Sequence, residues 1–418
     1  MSGEMVYSFH DKIEARKEER EGKNVPWKEK TVEETREEFA RRCLAKEKSK
    51  SALCREYRIS RPTGDKWIRR YQSGEGLDNR SRAPFKHPNK TAETTEAKIL
   101  AIRRKYPAIG AVKLKRMLEN RGEKELPCNS TVNAILKRNG CISPEASKAA
   151  TPCQRFEKAQ PNEMWQTDFK GDFLLADGAR CFPLCVLDDC SRFNLCIDAK
   201  TNQRRETVVE SFKRIFNEYG LPKILLCDNG NPWGTAQSSG ITLFEVWLMD
   251  LGILTVHGRI RHPQTQGKEE KFNGNLNREL LKQVKLQNMA DAQSKFDGYR
   301  DFYNNERPHH ALNLEVPAQR YQKSFKRIPP QISEWEYEPE YEVRTIKKTG
   351  FLTYKGQGYF LSESLGGLNI GIKESSLQGC VNLYYRNFRI GRLNVSDRAV
   401  VSRRIYLSED DPRCEPRV

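Results

Sequence analysis

Three carboxylates have the spacing and surroundings that phosphodiester chemistry requires. Asp168 lies inside the run Trp165-Gln166-Thr167-Asp168-Phe169. Asp228 ends a short apolar run just before Asn229 and Gly230, and Glu270 follows the loop 262–267 at the start of a helical stretch. The separations are 228 − 168 = 60 and 270 − 228 = 42 positions. Phosphodiester transfer needs charge neutralised on both the attacking and the leaving oxygen, which two divalent cations about 4 Å apart achieve. A hard cation such as Mg2+, with Mn2+ as a substitute, takes oxygen ligands and keeps several waters, so a few converging carboxylates suffice. Bunched carboxylates also raise one another's pKa until a cation arrives. Taken singly, each of the three would more simply serve a turn or a helix dipole. The set and its order carry the reading.

The elements that must position these groups follow from the periodicity. From residue 161 the pattern is strand-like over 164–170, 181–188 and 192–199, with turn signals at 176–178 and 189–191. Asp188 and Asp189 suit the second of those turns and read as structural. A helix over 204–219 stops at Gly220-Leu221-Pro222. Then come a strand at 223–227, a helix at 241–251, a strand at 253–257 and a long helix from Gly267. Three strands followed by helix–strand–helix–strand–helix is the ribonuclease-H-like order, a mixed-sheet α/β core over 161–320. Its first and fourth strands are neighbours, which brings Asp168 and Asp228 to one edge.

The chain around the core divides into further modules, giving a multi-domain α/β protein. Residues 1–30 are a charged lead-in. A first helix-turn-helix module at 31–76 has helices at 32–46, 51–57 and 60–72, with Ser60 as N-cap and Pro62 in the first turn. Trp67, Ile68 and Tyr71 face inward, and Arg61, Thr63, Lys66, Arg69 and Arg70 form a candidate DNA-reading face. A small bundle with a solvated basic face is the plainer alternative. The arm 77–90 offers Arg80 and Arg82. A second module at 91–140 has helices at 93–105, 111–121 and 130–139, the last bearing Lys137 and Arg138. Linkers at 141–160 and 321–341 flank the core. Short strands near 342–347, 350–354, 357–361, 380–385 and 387–393 predict a small β-barrel over 342–408.

Bulk properties agree with a nucleic-acid partner. The 418 residues carry a formal charge of +17 and a sequence pI near 9.3, which favours a polyanion. No apolar run approaches the roughly 18 residues needed to span a bilayer, and the charged N-terminus has no apolar core of a signal peptide. A cytoplasmic, nucleoid-associated prokaryotic protein with no membrane partner is therefore expected. The twelve cysteines form no Cys-x-x-Cys pair, and Cys181, Cys185, Cys190 and Cys196 fall in strand-like runs. They read as reduced thiols rather than zinc ligands or disulfides.

Several runs together resemble the prokaryotic insertion-sequence DDE transposases with a retroviral-integrase-type core. They are Trp165–Lys170, Leu187-Asp188-Asp189-Cys190-Ser191-Arg192, Tyr219-Gly220-Leu221-Pro222 and Cys227-Asp228-Asn229-Gly230. His262-Pro263-Gln264-Thr265-Gln266-Gly267-Lys268-Glu269-Glu270-Lys271-Phe272-Asn273 and Tyr303-Asn304-Asn305-Glu306-Arg307-Pro308-His309, with Pro317-Ala318, complete the set. The resemblance implies that Asp168, Asp228 and Glu270 hold two divalent metal ions. It implies strand cleavage by water and transfer of the freed 3′-hydroxyl into target DNA. The element's terminal repeats and the target DNA are the implied partners, and bringing two ends together calls for a homodimer or larger assembly. Gln264, Gln266, Lys268 and Lys271 are candidate DNA contacts around the third carboxylate.

The sequence departs from retroviral integrases in three ways. It lacks their N-terminal zinc-binding domain, its second spacing is longer by an extra loop at 231–241, and Gly274 and Asn277 replace helix lysines. Glu269 competes with Glu270, but the family pattern Gly-x-x-Glu favours Glu270, and one helical step turns Glu269 about 100° away. Two other functions remain open at this stage: a DNA-binding regulator with a silent core, and a ribonuclease-H-type nuclease.

Overall fold

A computed structural model of the chain describes residues 30–80, 90–142, 157–230, 232–234, 240–258, 267–402, 405–408 and 411. Arg82, Gln264, Gln266 and nearly all of the charged lead-in lie outside the described residues. The chain divides into two compact units, Met1–Lys90 and Thr91–Val418.

The first unit holds α1 (Val32–Leu44), α2 (Lys50–Glu56) and α3 (Arg61–Gln72). Thr31 and Glu34 form a capping box that starts α1. The Ser49 and Ser60 side chains each accept a backbone N–H at the starts of α2 and α3. Phe39, Leu53, Cys54 and Trp67 form the core. Gly64 lets α3 approach closely: a Cβ there would sit 2.8 Å from Cys54 Sγ and 3.0 Å from the Phe39 ring. One predicted face residue is misplaced. Arg70 is buried at 7% exposure, and its guanidinium donates to the carbonyls of Gly76 and Asp78. The chain after α3 folds back over it, so Arg70 fastens that return and does not face outward.

The second unit opens with α4 (Glu93–Lys105), α5 (Ala111–Asn120) and α6 (Asn129–Arg138), packed around Ile99, Leu114 and Ile135. The central sheet follows. Its strands are β1 (Met164–Phe169), β2 (Phe173–Leu174), β3 (Arg180–Asp188), β4 (Asn194–Lys200), β5 (Ile224–Cys227) and β6 (Leu254–His257). The order runs β4-β3-β1-β5-β6, antiparallel across the first three strands and parallel across the last three, with β2 a short addition to β3. This is the predicted ribonuclease-H-like mixed sheet.

Helices cover both faces, which is why the central strands read as near-continuous apolar runs. On one face Trp165, Val186 and Leu195 pack with Phe212 and Phe216 of α7 (Arg205–Tyr219) and Phe244 of α8 (Leu243–Asp250). On the other, Cys185, Leu187 and Ile197 meet Phe272 and Leu276 of α9 (Gly267–Leu276) and Phe296 of α10 (Met289–Asp301). Each of these last two helices runs on into a π-helical turn, Asn277–Leu281 and Phe302–Glu306. The predicted core thiols agree: Cys181, Cys185 and Cys196 are buried, Cys190 is partly so, and the cysteines among the described residues are unbridged.

The C-terminal region has more strands than expected. They are β7 (Glu342–Thr345), β8 (Phe351–Tyr354), β9 (Gln357–Phe360), β10 (Asn369–Glu374), β11 (Cys380–Tyr385), β12 (Phe388–Asn394), β13 (Ala399–Ser402) and β14 (Tyr406–Leu407). They form an antiparallel sheet, β13-β12-β11-β10-β7 with β14 on β12, and a separate β8-β9 hairpin. Among the described residues this pairing does not close into the predicted barrel. The open sheet buries its apolar side against Val246 and Met249 of α8, so a neighbouring helix does the covering that closure would otherwise provide.

Candidate active site

The sheet brings two of the three predicted carboxylates together. β1 and β5 pair in parallel with Met164 opposite Ile224 and Gln166 opposite Leu226, an offset of 224 − 164 = 60. Continued by two residues, that register sets Asp228 beside Asp168, on strands about 4.8 Å apart. Asp168 is partly buried, opposite Cys185 on β3. Burial pushes its carboxyl up to about 7, helped by Asp228 and more weakly by Glu270, against a hydrogen bond from the Phe169 N–H. Asn273 Nδ2 approaches Asp168 Oδ2 at 3.5 Å.

The turn that carries Asp228 is held from several sides. Asp228 Oδ1 accepts the Gly230 N–H at 2.9 Å, and Asn229 Nδ2 donates to the Gly258 carbonyl at 2.8 Å. His257, at the end of β6, reaches the Asp228 carbonyl through Nδ1 at 2.7 Å and Glu245 Oε1 through Nε2 at 2.9 Å. Burial pushes the His257 imidazole down, but the Cys227 thiol, the Glu245 carboxylate and the Asp228 carbonyl outweigh it and raise the pKa. With acceptors at both ring nitrogens the imidazolium is the form that fits. Sequence reading missed His257 because its partner Glu245 lies 12 residues away on α8, within another capping box.

The third carboxylate shows a division within one dipeptide. Both Glu269 and Glu270 lie in the first turn of α9. Glu270 is exposed, whereas Glu269 is 1% exposed and neither of its carboxyl oxygens has a hydrogen-bond partner. Burial, then Asp168, holds the Glu269 carboxyl well above the usual range. The signal for this was present: 269, 272 and 276 follow the i, i+3, i+7 spacing of one helix face, shared with buried Phe272 and Leu276. Among the described residues, no three His, Cys, Asp or Glu side chains stand together as a metal-ligand group. The donor set still suits a hard cation, because Asp168 and Asp228 repel on a shared edge and both offer oxygen.

The other predicted contacts separate into exposed and engaged groups. Arg61, Lys66, Arg69, Lys137 and Lys271 are exposed. Thr63 is half-buried, with its hydroxyl on Ser60 at 2.8 Å. Arg80 pairs with Glu75, and Arg138 with Glu96 of α4. Lys268 Nζ donates to Asp189, which also accepts from Gln166 at 2.6 Å and from the Lys158 N–H at 2.8 Å. Asp188 accepts the Asn162 N–H at 2.7 Å and both the N–H and hydroxyl of Ser191. Asp188 and Asp189 are thus the structural turn residues that the spacing suggested.

Residues 158–263 and 251–317 match two models described as integrase core domain. Residues 63–136 match a homeodomain-like domain and 35–85 a helix-turn-helix domain. A 31.7 kDa uncharacterised protein of insertion element IS407 from Burkholderia multivorans is 28% identical over 159 residues, 38% of this chain and 55% of its own. A 39.2 kDa uncharacterised protein of insertion element IS476 from Xanthomonas euvesicatoria is 26% identical over 218 residues, 52% of this chain and 57% of its own. The chain thus spans about half the length of the curated relatives it matches. Among solved structures, the HTLV-2 integrase catalytic core domain matches at 16% identity and a TM-score of 0.31, covering 39% of this chain and 99% of that one. A simian T-cell lymphotropic virus intasome matches at 14% and 0.34, covering 75% and 96%. The fold assignment rests on strand order rather than on these scores.

Two integrase-core matches thus lie behind helix-turn-helix and homeodomain-like matches. Over 38% and 52% of its length the chain resembles proteins of bacterial insertion elements.

Proposed function

We propose that this chain is a DNA transposase that binds the ends of its mobile element, cleaves them and joins the freed 3′-hydroxyl to target DNA. The register that aligns Asp168 with Asp228 on adjacent parallel strands is the observation that carries this reading. Asp168, Asp228 and Glu270 are the residues that would hold two divalent cations, Mg2+ or Mn2+. Such cations, when bound, supply charge neutralisation at the attacking and leaving oxygens. The chain's own part is positional. His257 and Gly230 fix the Asp228 turn, and β1 fixes Asp168. Exposed Arg61, Lys66 and Arg69 on α3 would hold DNA phosphates and base edges, with Lys271 nearer the site. A homodimer or larger assembly would bring two ends to one target.

A strand-transfer assay with labelled element ends and Mg2+ or Mn2+ tests this. Joined products should form with the wild-type chain, vanish with Glu270→Gln and persist with Glu269→Gln, since only Glu270 faces solvent. Loss with Glu269→Gln and retention with Glu270→Gln would move the third ligand by one position. Nicked hybrid strands without joining would instead favour a hydrolytic nuclease, and end binding without any cutting a regulator.

A further inference from the structure

The second helical module is fastened to the catalytic core through residues that the proposed chemistry does not use. Tyr106, which follows α4, stacks on Phe302 with ring centroids 4.5 Å apart and planes 14° apart. Its hydroxyl donates to Glu306 Oε2 at 3.0 Å, and Arg121, which follows α5, donates to the same oxygen at 2.6 Å. Lys113 on α5 is half-buried, and burial pushes its ammonium down to about 7, with Arg307 adding to the fall.

The receiving surface is itself rigid. Phe302 and Glu306 bound the π-helical turn after α10. Inside that turn Asn304 accepts the Asn194 N–H at 2.8 Å and donates to the Asn194 carbonyl at 2.9 Å, tying the turn to the first residue of β4. The next residue past the turn, Arg307, grips Glu279 with two hydrogen bonds of 2.7 Å. Glu279 sits in the π-helical turn that continues α9, the helix bearing Glu270. The module therefore connects through Glu306 and the turn that holds it to the sheet edge. α6 meanwhile keeps Asn133 and Lys137 exposed for DNA.

We infer that the second helix-turn-helix module is held at one orientation on the core, and that this docking sets how many base pairs separate the sequence it reads from the bond that is cut. Tyr106, Arg121, Phe302 and Glu306 are thus positioning residues for cleavage specificity. The inference rests on the proposed transposase function for the cut, but its docking part is independent of activity.

Two measurements on the full chain test it. Spin labels on unnatural side chains at exposed Lys124 and Lys282 report the module-to-core distance, with and without DNA. The wild type should give one narrow distance in both states, and Tyr106→Ala combined with Arg121→Glu a broad one. End cleavage mapped at nucleotide resolution should give one position for the wild type. In the double variant the product at that position should fall roughly tenfold, with cuts spread to neighbours, because small misplacements are expensive in rate. Binding by the variant should stay near wild type. The pair Arg121→Glu with Glu306→Arg should restore part of the single position, a recovery that a folding defect would not show. A broad wild-type distance, or unchanged cut positions in a variant whose distance has broadened, would overturn the inference. A narrow wild-type distance with no cutting at all would support the docking and count against the proposed function instead.

Discussion

The two three-helix modules are built alike and use their charge differently. In the first, which forms its own compact unit, Arg61, Lys66 and Arg69 lie exposed along α3. In the second, which shares a unit with the central sheet, Arg138 is paired with Glu96, Arg121 with Glu306, and Lys113 is half-buried. A basic composition is therefore only an upper bound on DNA contacts. Cations in a module that must also dock are partly taken up by the protein. The first module has engaged cations too: Arg36 lies over the Trp67 ring at 4.0 Å, and Arg70 is buried. Both serve the module's own fold, whereas Arg61, Lys66 and Arg69 stay exposed.

The most severe way to break this contrast is at the site, where chemistry and end binding should come apart. Asp228→Asn should lower strand transfer by at least about 10²-fold, the scale seen when one transition-state contact is removed. End binding, measured by gel shift, should not change. If transfer survived at the wild-type rate, Asp228 would be a turn residue and nothing more.

Next in size is a packing lesion confined to the first unit. Gly64→Val would push a side chain into Cys54 and Phe39, where even a Cβ comes within 3.0 Å. Overpacking of this kind costs about 1–3 kcal/mol, enough to unfold a small three-helix core. Calorimetry should then lose the first unit's transition while the second unit's midpoint holds. A shift of both together would show that the division at residue 90 is not energetic.

Single charges on the two modules should behave oppositely. Arg69→Ala should weaken end binding and flatten its salt dependence by about one unit of slope, as expected for one lost phosphate contact. Arg138→Ala, which breaks the pair with Glu96, should leave that slope alone and lower stability by no more than about 1 kcal/mol. An equal loss of slope from both would return Arg138 to the DNA-contact set.

How much of this was legible in the sequence depends on how local each determinant is. Six helices and the order of the core strands follow from periodicity and caps. Ser60 starts α3 as expected, and the parallel partner of β1 was implied by the fold order. The first and fourth strands bring Asp168 and Asp228 together for that reason. Arg70 was misread because helix phase alone cannot show that residues 76–78 fold back over it. The C-terminal strands 369–374, 399–402 and 406–407 were missed and the barrel expected, because short strands between glycines do not reveal that α8 covers their apolar side. Glu269 was legible in principle, one turn from Phe272 and two from Leu276, yet helix phase was used only to turn it about 100° from Glu270 and not to place it on the core face.

The smallest expected effect again separates the units, through pH. The Asp168 carboxyl stands at about 7 in the folded chain against a reference of 3.8, mainly through burial and then Asp228. The folded state therefore holds an extra proton between those values. That contribution to stability is fully present below about 4 and is lost as pH rises through about 7. Without divalent metal, the melting midpoint of the second unit should fall by a few degrees between pH 5 and pH 8. Among its described residues the first unit has no comparable buried carboxyl pair, and it should not follow. Added Mg2+ should reverse the fall at pH 8 and do little at pH 5, because only the ionised carboxylates attract it. Asp168→Asn should flatten the pH dependence and remove the response to Mg2+ together. If the midpoint fell as steeply with pH in that variant as in the wild type, the titrating group would lie elsewhere, and the edge shared by β1 and β5 would not be where the charge is stored.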